Sequence, residues 1–200
     1  VRTDRGFARI IGFSDGVVAI AITLLVLPLV TTATTIDTDI GTFLVDNAYQ
    51  LFVFVLSFLV IGRFWMVHHQ MYEHATGYNS ALLWANLGWL LSIVFLPFPT
   101  ELLGSADHAE PLTYCLYVGT MILTSIFAAL QQWVLIRYPE LQAVESRGTL
   151  RLQPYVAITV IMVVALVVSV LVPGLGLLAL LLLVLATPIE KLIDRVRSRA

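Results

Sequence analysis

The sequence predicts an all-α integral membrane protein with six transmembrane helices per chain and both termini cytoplasmic, and three observations carry that reading. First, 59% of the residues are hydrophobic and only 12% charged, with a mean hydropathy of +0.92. A soluble domain has about a quarter of its residues charged. Second, apolar stretches recur along the whole chain, at about 10–30, 43–67, 80–96, 112–136, 155–172 and 175–189. Most approach the roughly 20 residues that a helix needs to cross the hydrocarbon layer. Third, the charges alternate in step with these stretches. Arg2, Arg5 and Arg9 precede the first, Arg63 ends the second, Arg137, Arg147 and Arg151 separate the fourth from the fifth, and Lys191, Arg195, Arg197 and Arg199 follow the sixth. All eleven basic residues therefore fall on one side, while the other side carries Asp37, Asp39, Asp46, Glu101, Asp107 and Glu110 with no Lys or Arg. The positive-inside rule makes the basic side cytoplasmic, and an error of one helix in the count would destroy the alternation.

The first helix, about 10–30, follows a basic stretch. A signal peptide would share that feature, but Asp15 interrupts the start of the apolar core and the run from Thr31 to Thr35 offers no small-x-small cleavage site. Pro28 is placed to bend the last turn. A polar, acidic loop leads to the second helix, about 43–67, which ends in the run from Arg63 through Trp65 to His68 and His69. The third, about 80–96, contains Asn86 and Trp89 and is expected to stop at Pro97-Phe98-Pro99. The fourth is about 112–136 and holds the lone Cys115, read as a buried inert thiol. The fifth and sixth are joined by Pro173-Gly174-Leu175-Gly176, a hairpin connection. The reading is of a single six-helix domain over 1–200, without internal duplication.

Polar residues are concentrated at the start of the first helix, in Arg9-Ile10-Ile11-Gly12-Phe13-Ser14-Asp15. An ionisable side chain inside a spanning segment costs a few kcal/mol, so it marks a candidate site, although basic residues near helix ends also snorkel to the interface. At about 100° per residue, Arg9 and Asp15 point some 120° apart. They are poorly placed to pair with each other. Arg9 and Phe13, four apart, are placed to stack, and Asp15 must look to another helix, with His68, His69 and Asn86 at the same depth. The two histidines also read as an interfacial pair beside an aromatic belt. Further along, Ile20, Leu24 and Leu27 form one stripe with Thr23 beside it. Such a stripe usually faces lipid or core. Were it to line a pore, the pore would be hydrophobic at its middle, a constriction that gates by dewetting or forces an ion to shed water. The acidic side has two readings as well, mere avoidance of basic residues or a field that concentrates cations.

The pattern Arg9-x-x-x-Phe13-Ser14-Asp15 followed by the apolar run from Gly16 to Leu27 resembles the first-helix signature of the transmembrane protein 175 family, the endolysosomal potassium channel, and its bacterial relatives. Trp65, His68, His69, Asn86 and Pro97-Phe98-Pro99 carry the similarity along the chain. The animal members have two six-helix repeats per chain, so this single repeat resembles the bacterial form. The resemblance implies a homotetramer around a central pore lined by the first helix, permeable to potassium in preference to sodium. It further implies that Arg9, Phe13, Ser14 and Asp15, with Trp65, Asn86 and one of His68 and His69, hold the pore helix. Ile20 would then be the narrowest ring, Thr23 a hydroxyl layer above it, and Leu24 and Leu27 further pore lining.

Other classes fit less well. No Thr-Val-Gly-Tyr-Gly segment supplies a carbonyl filter, and no nucleotide-binding or metalloprotease motif appears. A proton-coupled secondary transporter using Asp15 and His68 or His69 is the alternative, but the matching broken helices of such folds are missing. An enzyme is not expected, since Ser14 lacks a recognisable base and the His pair lacks an acidic ligand for zinc. The expected partners are the bilayer, permeant potassium and further copies of the chain, with no cofactor, metal or nucleic acid. The expected location is the bacterial inner membrane.

Overall fold

Apolar stretches in low dielectric must satisfy their own backbone groups, which leaves helices as the economical solution. A computed structural model describes residues 4–33, 39–105 and 111–171. The sixth predicted helix and the basic tail after it lie outside the described residues. The elements are α1 (Asp4–Leu24), α2 (Leu27–Ala33), α3 (Ile40–Asp46), α4 (Ala48–Glu73), α5 (Ser80–Phe95), α6 (Pro97–Ser105), α7 (Pro111–Arg137) and α8 (Gln153–Leu171), with two single turns of 3-10 helix between α7 and α8. Four spans, Arg5–Ala33, Ala48–Glu73, Ser80–Ser105 and Leu112–Arg137, are long and apolar enough to cross a bilayer. The protein is a multi-pass helical membrane protein.

Three boundaries differ from the sequence expectation, each for a local reason. The first span starts earlier, at Asp4, and is broken into α1 and α2 at Leu25–Val26. Pro28 has no N–H to offer the Leu24 carbonyl and its ring would clash there. The chain tightens instead, with Leu25 N bonding Ile22 O and Val26 N bonding Thr23 O, both at 3.3 Å. The second helix does not end near Val67 but runs to Glu73, and the residues from Ile40 to Asp46 form a separate short helix capped by the Asp39 carboxylate on Gly41 N. Pro97 and Pro99 do not stop the third span. Both sit in the first turn of α6, where a backbone N–H would have no intrahelical partner anyway. Leu96 N turns back to Ile93 O at 3.2 Å, Thr100 N bonds Leu96 O at 3.1 Å, and the helix resumes to Ser105.

Two buried clusters hold these elements together. The larger joins Val18, Ala21 and Leu25 of the first span to α4, α5, α6, α7 and α8 around Trp89, Ile93 and Tyr117. The smaller gathers Phe7, Met71, Tyr72, Leu82, Leu135 and Leu141 at the end of the bundle where α1 begins. There the α4–α5 loop pairs with the α7–α8 connection: Ala75 and Gln142 form an antiparallel bridge, and Thr76 N reaches Leu141 O at 2.8 Å. This tie brings α1, α4, α5 and α7 to a common level. Cys115, expected to be buried, is a free thiol only partly covered.

Candidate functional site

α1 has two opposed faces. Phe7, Ser14, Val18, Ala21 and Leu25, at helical spacing, are buried against the rest of the chain. The other row, Gly12, Phe13, Gly16, Ala19, Ile20, Thr23 and Leu24, is exposed and continues past the break in Leu27. The contrast is sharp: Ile20 is 62% exposed and Ala21 beside it 0%. The stripe singled out in the sequence, Ile20, Leu24 and Leu27, thus faces away from the protomer's own core. Thr23 lies on the same row, its hydroxyl donating to Ile20 O at 2.8 Å. The hydroxyl proton is spent on the backbone, so the oxygen can serve further partners only as an acceptor, with both its lone pairs.

The buried face carries a chain of hydrogen bonds that locks α1 to α5 and α4. Ser14 Oγ donates to Ile10 O (2.9 Å), Asn86 Nδ2 donates to Ser14 Oγ (2.9 Å), and His68 Nε2 lies 2.8 Å from Asn86 Oδ1. The polarity follows from the last acceptor. A backbone carbonyl only accepts, so Ser14 must donate to it and accept from the Asn86 amide nitrogen, which leaves Asn86 Oδ1 to accept from His68 Nε2–H. Ser14, Asn86 and His68 are each at most 2% exposed, a depth at which an unpaired polar group is costly. The His68 ring is also clamped, stacked on Trp89 at 4.1 Å between centroids and on Tyr72 at 4.3 Å. Tyr72 in turn stacks on Phe7 of α1 and donates its hydroxyl to Gln131 Oε1.

Asp15 takes as its partner not His68, His69 or Asn86 but Trp65, which the resemblance groups with it. Trp65 Nε1 donates to its Oδ1 at 2.8 Å, while neither histidine nor Asn86 bonds the carboxylate. His69 lies outside the buried chain: it stacks on Trp65 (5.4 Å) and approaches Glu73 at 3.4 Å. The spacing that joins Trp65 to His69 and His69 to Glu73 is i to i+4, one exposed side of α4. The Arg9–Phe13 stack is not formed. Both side chains are exposed, and among the described residues neither has a ring contact or ion pair. The clamp residues Trp89 and Tyr72 were missed in the sequence, although each had a signal. Tyr72 lies four residues from His68 and Trp89 three from Asn86, hence on the same helix faces.

Bilayer-length helices, and a first helix with one face buried and the other exposed, define a multi-pass membrane protein whose first span carries a row of side chains turned away from the chain's own core. The model of the family described as Endosomal/lysosomal potassium channel TMEM175 matches residues 9–97. A Streptomyces collinus protein named a potassium channel is 34% identical over 152 residues, covering 70% of this chain and 72% of the relative. A Chryseobacterium protein of the same description is 30% identical over 129 residues, 64% of this chain and 65% of the relative. The crystal structure of a lysosomal potassium-selective channel TMEM175 homolog from Chamaesiphon minutus superposes with a TM-score of 0.76 at 24% identity, covering 93% of this chain and 98% of that one, and so shares its fold. The chain belongs to the TMEM175 family as a bacterial member.

Proposed function

We propose that the chain is one subunit of a potassium-selective cation channel, a homotetramer in the bacterial inner membrane that passes potassium down its gradient. The observation that carries this reading is the exposed row on α1. A single helix cannot enclose an aqueous path, but four copies of this row turned toward one axis enclose one lined by Ile20, Thr23, Leu24 and Leu27. Ile20 is then the narrowest ring, and Thr23 adds hydroxyl oxygens just beyond it. The buried chain of Ser14, Asn86 and His68, with the Trp65–Asp15 bond, sets the rotation of α1 that turns the row to the axis. Arg9 and Phe13, exposed on the protomer, meet neighbouring subunits in this arrangement. Both termini are cytoplasmic in this arrangement, in keeping with the placement of the basic residues along the sequence. The relatives named as potassium channels supply the permeant ion. The transporter alternative is less well supported, since Asp15 and His68 are each engaged in a fixed hydrogen bond.

A ring of branched aliphatic side chains offers a cation no ligand in place of its hydration shell. Potassium, larger and more weakly hydrated, loses less than sodium on partial stripping. Ile20→Ala should therefore raise total cation flux in proteoliposomes under opposed potassium and sodium gradients and bring the two fluxes closer together. Ile22→Ala is the control, because Ile22 packs against the core cluster. If Ile22→Ala altered selectivity and Ile20→Ala left it untouched, the pore would run along the other face of α1.

A further inference from the structure

The exposed row of α1 is not the only apolar row that the fold leaves open. α5 and α7 run side by side, and at their seam Gly88 of α5 lies so close to the Phe127 ring of α7 that a Cβ there would collide with it. Residues three and four positions apart share a helix face. Trp84 and Leu91 therefore flank Gly88 along α5, and Leu123 and Leu130 flank Phe127 along α7. All four are exposed, Trp84 at 73% and Leu91 at 72%, and the Phe127 ring between them is only partly covered. The seam is thus an open apolar strip, with a glycine and a flat ring where the two helices meet.

Toward the basic end of the bundle the chemistry of the strip changes. Trp133 lies three residues beyond Leu130 and Arg137 four beyond Trp133, and both are exposed. The guanidinium of Arg137 is held over the Tyr138 ring, 5.7 Å from its centroid. Gln132 Nε2 donates to Arg151 O at 3.1 Å, which fixes a second arginine, just before α8, beside the same turn of α7. At about 1.5 Å per residue the row from Leu123 to Arg137 is about 21 Å long, close to half of a bilayer about 40–45 Å thick with its headgroups. With Leu123 near the midplane, Trp133 falls in the interfacial belt and Arg137 at the level of the phosphates. We propose that the seam between α5 and α7 binds an anionic phospholipid, an acyl chain lying along Trp84, Leu91, Leu123 and Leu130 and the phosphate resting on Arg137. A planar guanidinium offers a phosphate two parallel N–H bonds, and a headgroup without an amine brings no cation against Arg137 and Arg151. Glu140 and Glu145 of the connection after α7 are exposed as well, so the preference rests on the arginine that ends the strip and not on the net charge of the connection.

The test is native mass spectrometry of the purified full chain in a neutral detergent, titrated with phosphatidylglycerol, with phosphatidylcholine of the same acyl chains, and with glycerol 3-phosphate as the free headgroup. Phosphatidylglycerol is expected to bind saturably and more tightly than phosphatidylcholine, and glycerol 3-phosphate to leave it in place. Arg137→Gln should raise the dissociation constant for phosphatidylglycerol about fivefold, and Trp133→Ala should weaken both lipids. If Arg137→Gln does not fold, Arg137→Lys carries the test: its ammonium keeps the charge without the bidentate geometry, and a smaller loss in the same direction is expected. Equal binding of the two lipids, an affinity indifferent to position 137, or displacement by glycerol 3-phosphate overturns the proposal. So does an assembly that comes apart in Leu130→Gln while phosphatidylglycerol still binds, which would assign the strip to a contact between copies of the chain. None of these readouts requires conduction, so the lipid site stands or falls apart from the pore reading.

Discussion

A single side chain on α5 decides how firmly the first helix is held. Asn86 is the only link between His68 and Ser14 along the buried chain, and its amide has one donor and one acceptor in use, each aimed at a different helix. Asn86→Leu keeps the approximate volume but strands the Ser14 hydroxyl oxygen and His68 Nε2–H. Leaving buried polar groups unmet costs about 1–3 kcal/mol each, so the unfolding midpoint in detergent should fall by several degrees. Asp15→Asn should be milder, because an amide oxygen still accepts from Trp65. Trp65→Phe, which leaves a carboxylate bare, should cost more than Asp15→Asn; the reverse order in thermal unfolding would mean that the carboxylate has another partner. Gly88 offers a second test, on packing. A Cβ there would run into the ring of Phe127 on α7, so Gly88→Ala trades a helix-propensity gain of about 1 kcal/mol against overpacking of about 1–3 kcal/mol. A net loss is expected, with recovery when Phe127→Leu is added; a stabilised single variant would show that the Phe127 ring turns aside at little cost.

At the scale of the element, the two proline sites show how a broken helix keeps its register. At Leu25–Val26 and at Leu96 the i to i−4 ladder is interrupted and repaired by tighter i to i−3 bonds, so each span continues past its proline. The first break lies between Leu24 and Leu27, within the row proposed to line the pore. Pro28→Ala returns an N–H to the Leu24 carbonyl and removes the ring that excludes it. The expected outcome is a continuous helix from α1 into α2, read as a longer distance between spin labels at positions 20 and 31, with a changed flux in the same preparation. An unaltered distance would assign the bend to packing of Leu25 against the core instead of to the proline. Propensity alone misjudges the second site, because Pro97 and Pro99 lie in the first turn of α6, where no intrahelical partner for an N–H is lost.

For the whole molecule, the decisive property is that α1 is locked on one face and unpaired on the other. Small residues on the outward face, Gly12, Gly16 and Ala19, are exposed, with nothing among the described residues within 4 Å of a Cβ added at Gly12 or Gly16, and permit close approach of another helix. In lipid, helices associate through packing more than through hydrophobic exclusion, and small residues favour it. Light scattering or native mass spectrometry in detergent should therefore give a tetramer for the wild type, and Gly16→Leu should reduce tetramer yield while leaving helix content unchanged. A stable monomer or dimer for the wild-type protein would remove the enclosed path on which the channel reading depends.

Apolar length, together with the distribution of charge, was enough in the sequence to identify a multi-pass helical membrane protein and to place four of its spans, because hydropathy is a sum over a segment and needs no partner. The polar start of the first helix and its stripe at Ile20, Leu24 and Leu27 were legible for the same reason: both are periodic features of one helix. Partnerships between helices were not. His68 and His69 are adjacent in sequence and about 100° apart on α4, and only the packing of α5, which sets Asn86 and Trp89 beside one of them, separates a buried, clamped imidazole from an exposed one. Asp15 met Trp65 rather than a histidine because the rotation of α1 against α4 is set by the whole buried row from Phe7 to Leu25, a property of the assembled bundle that no residue spacing encodes.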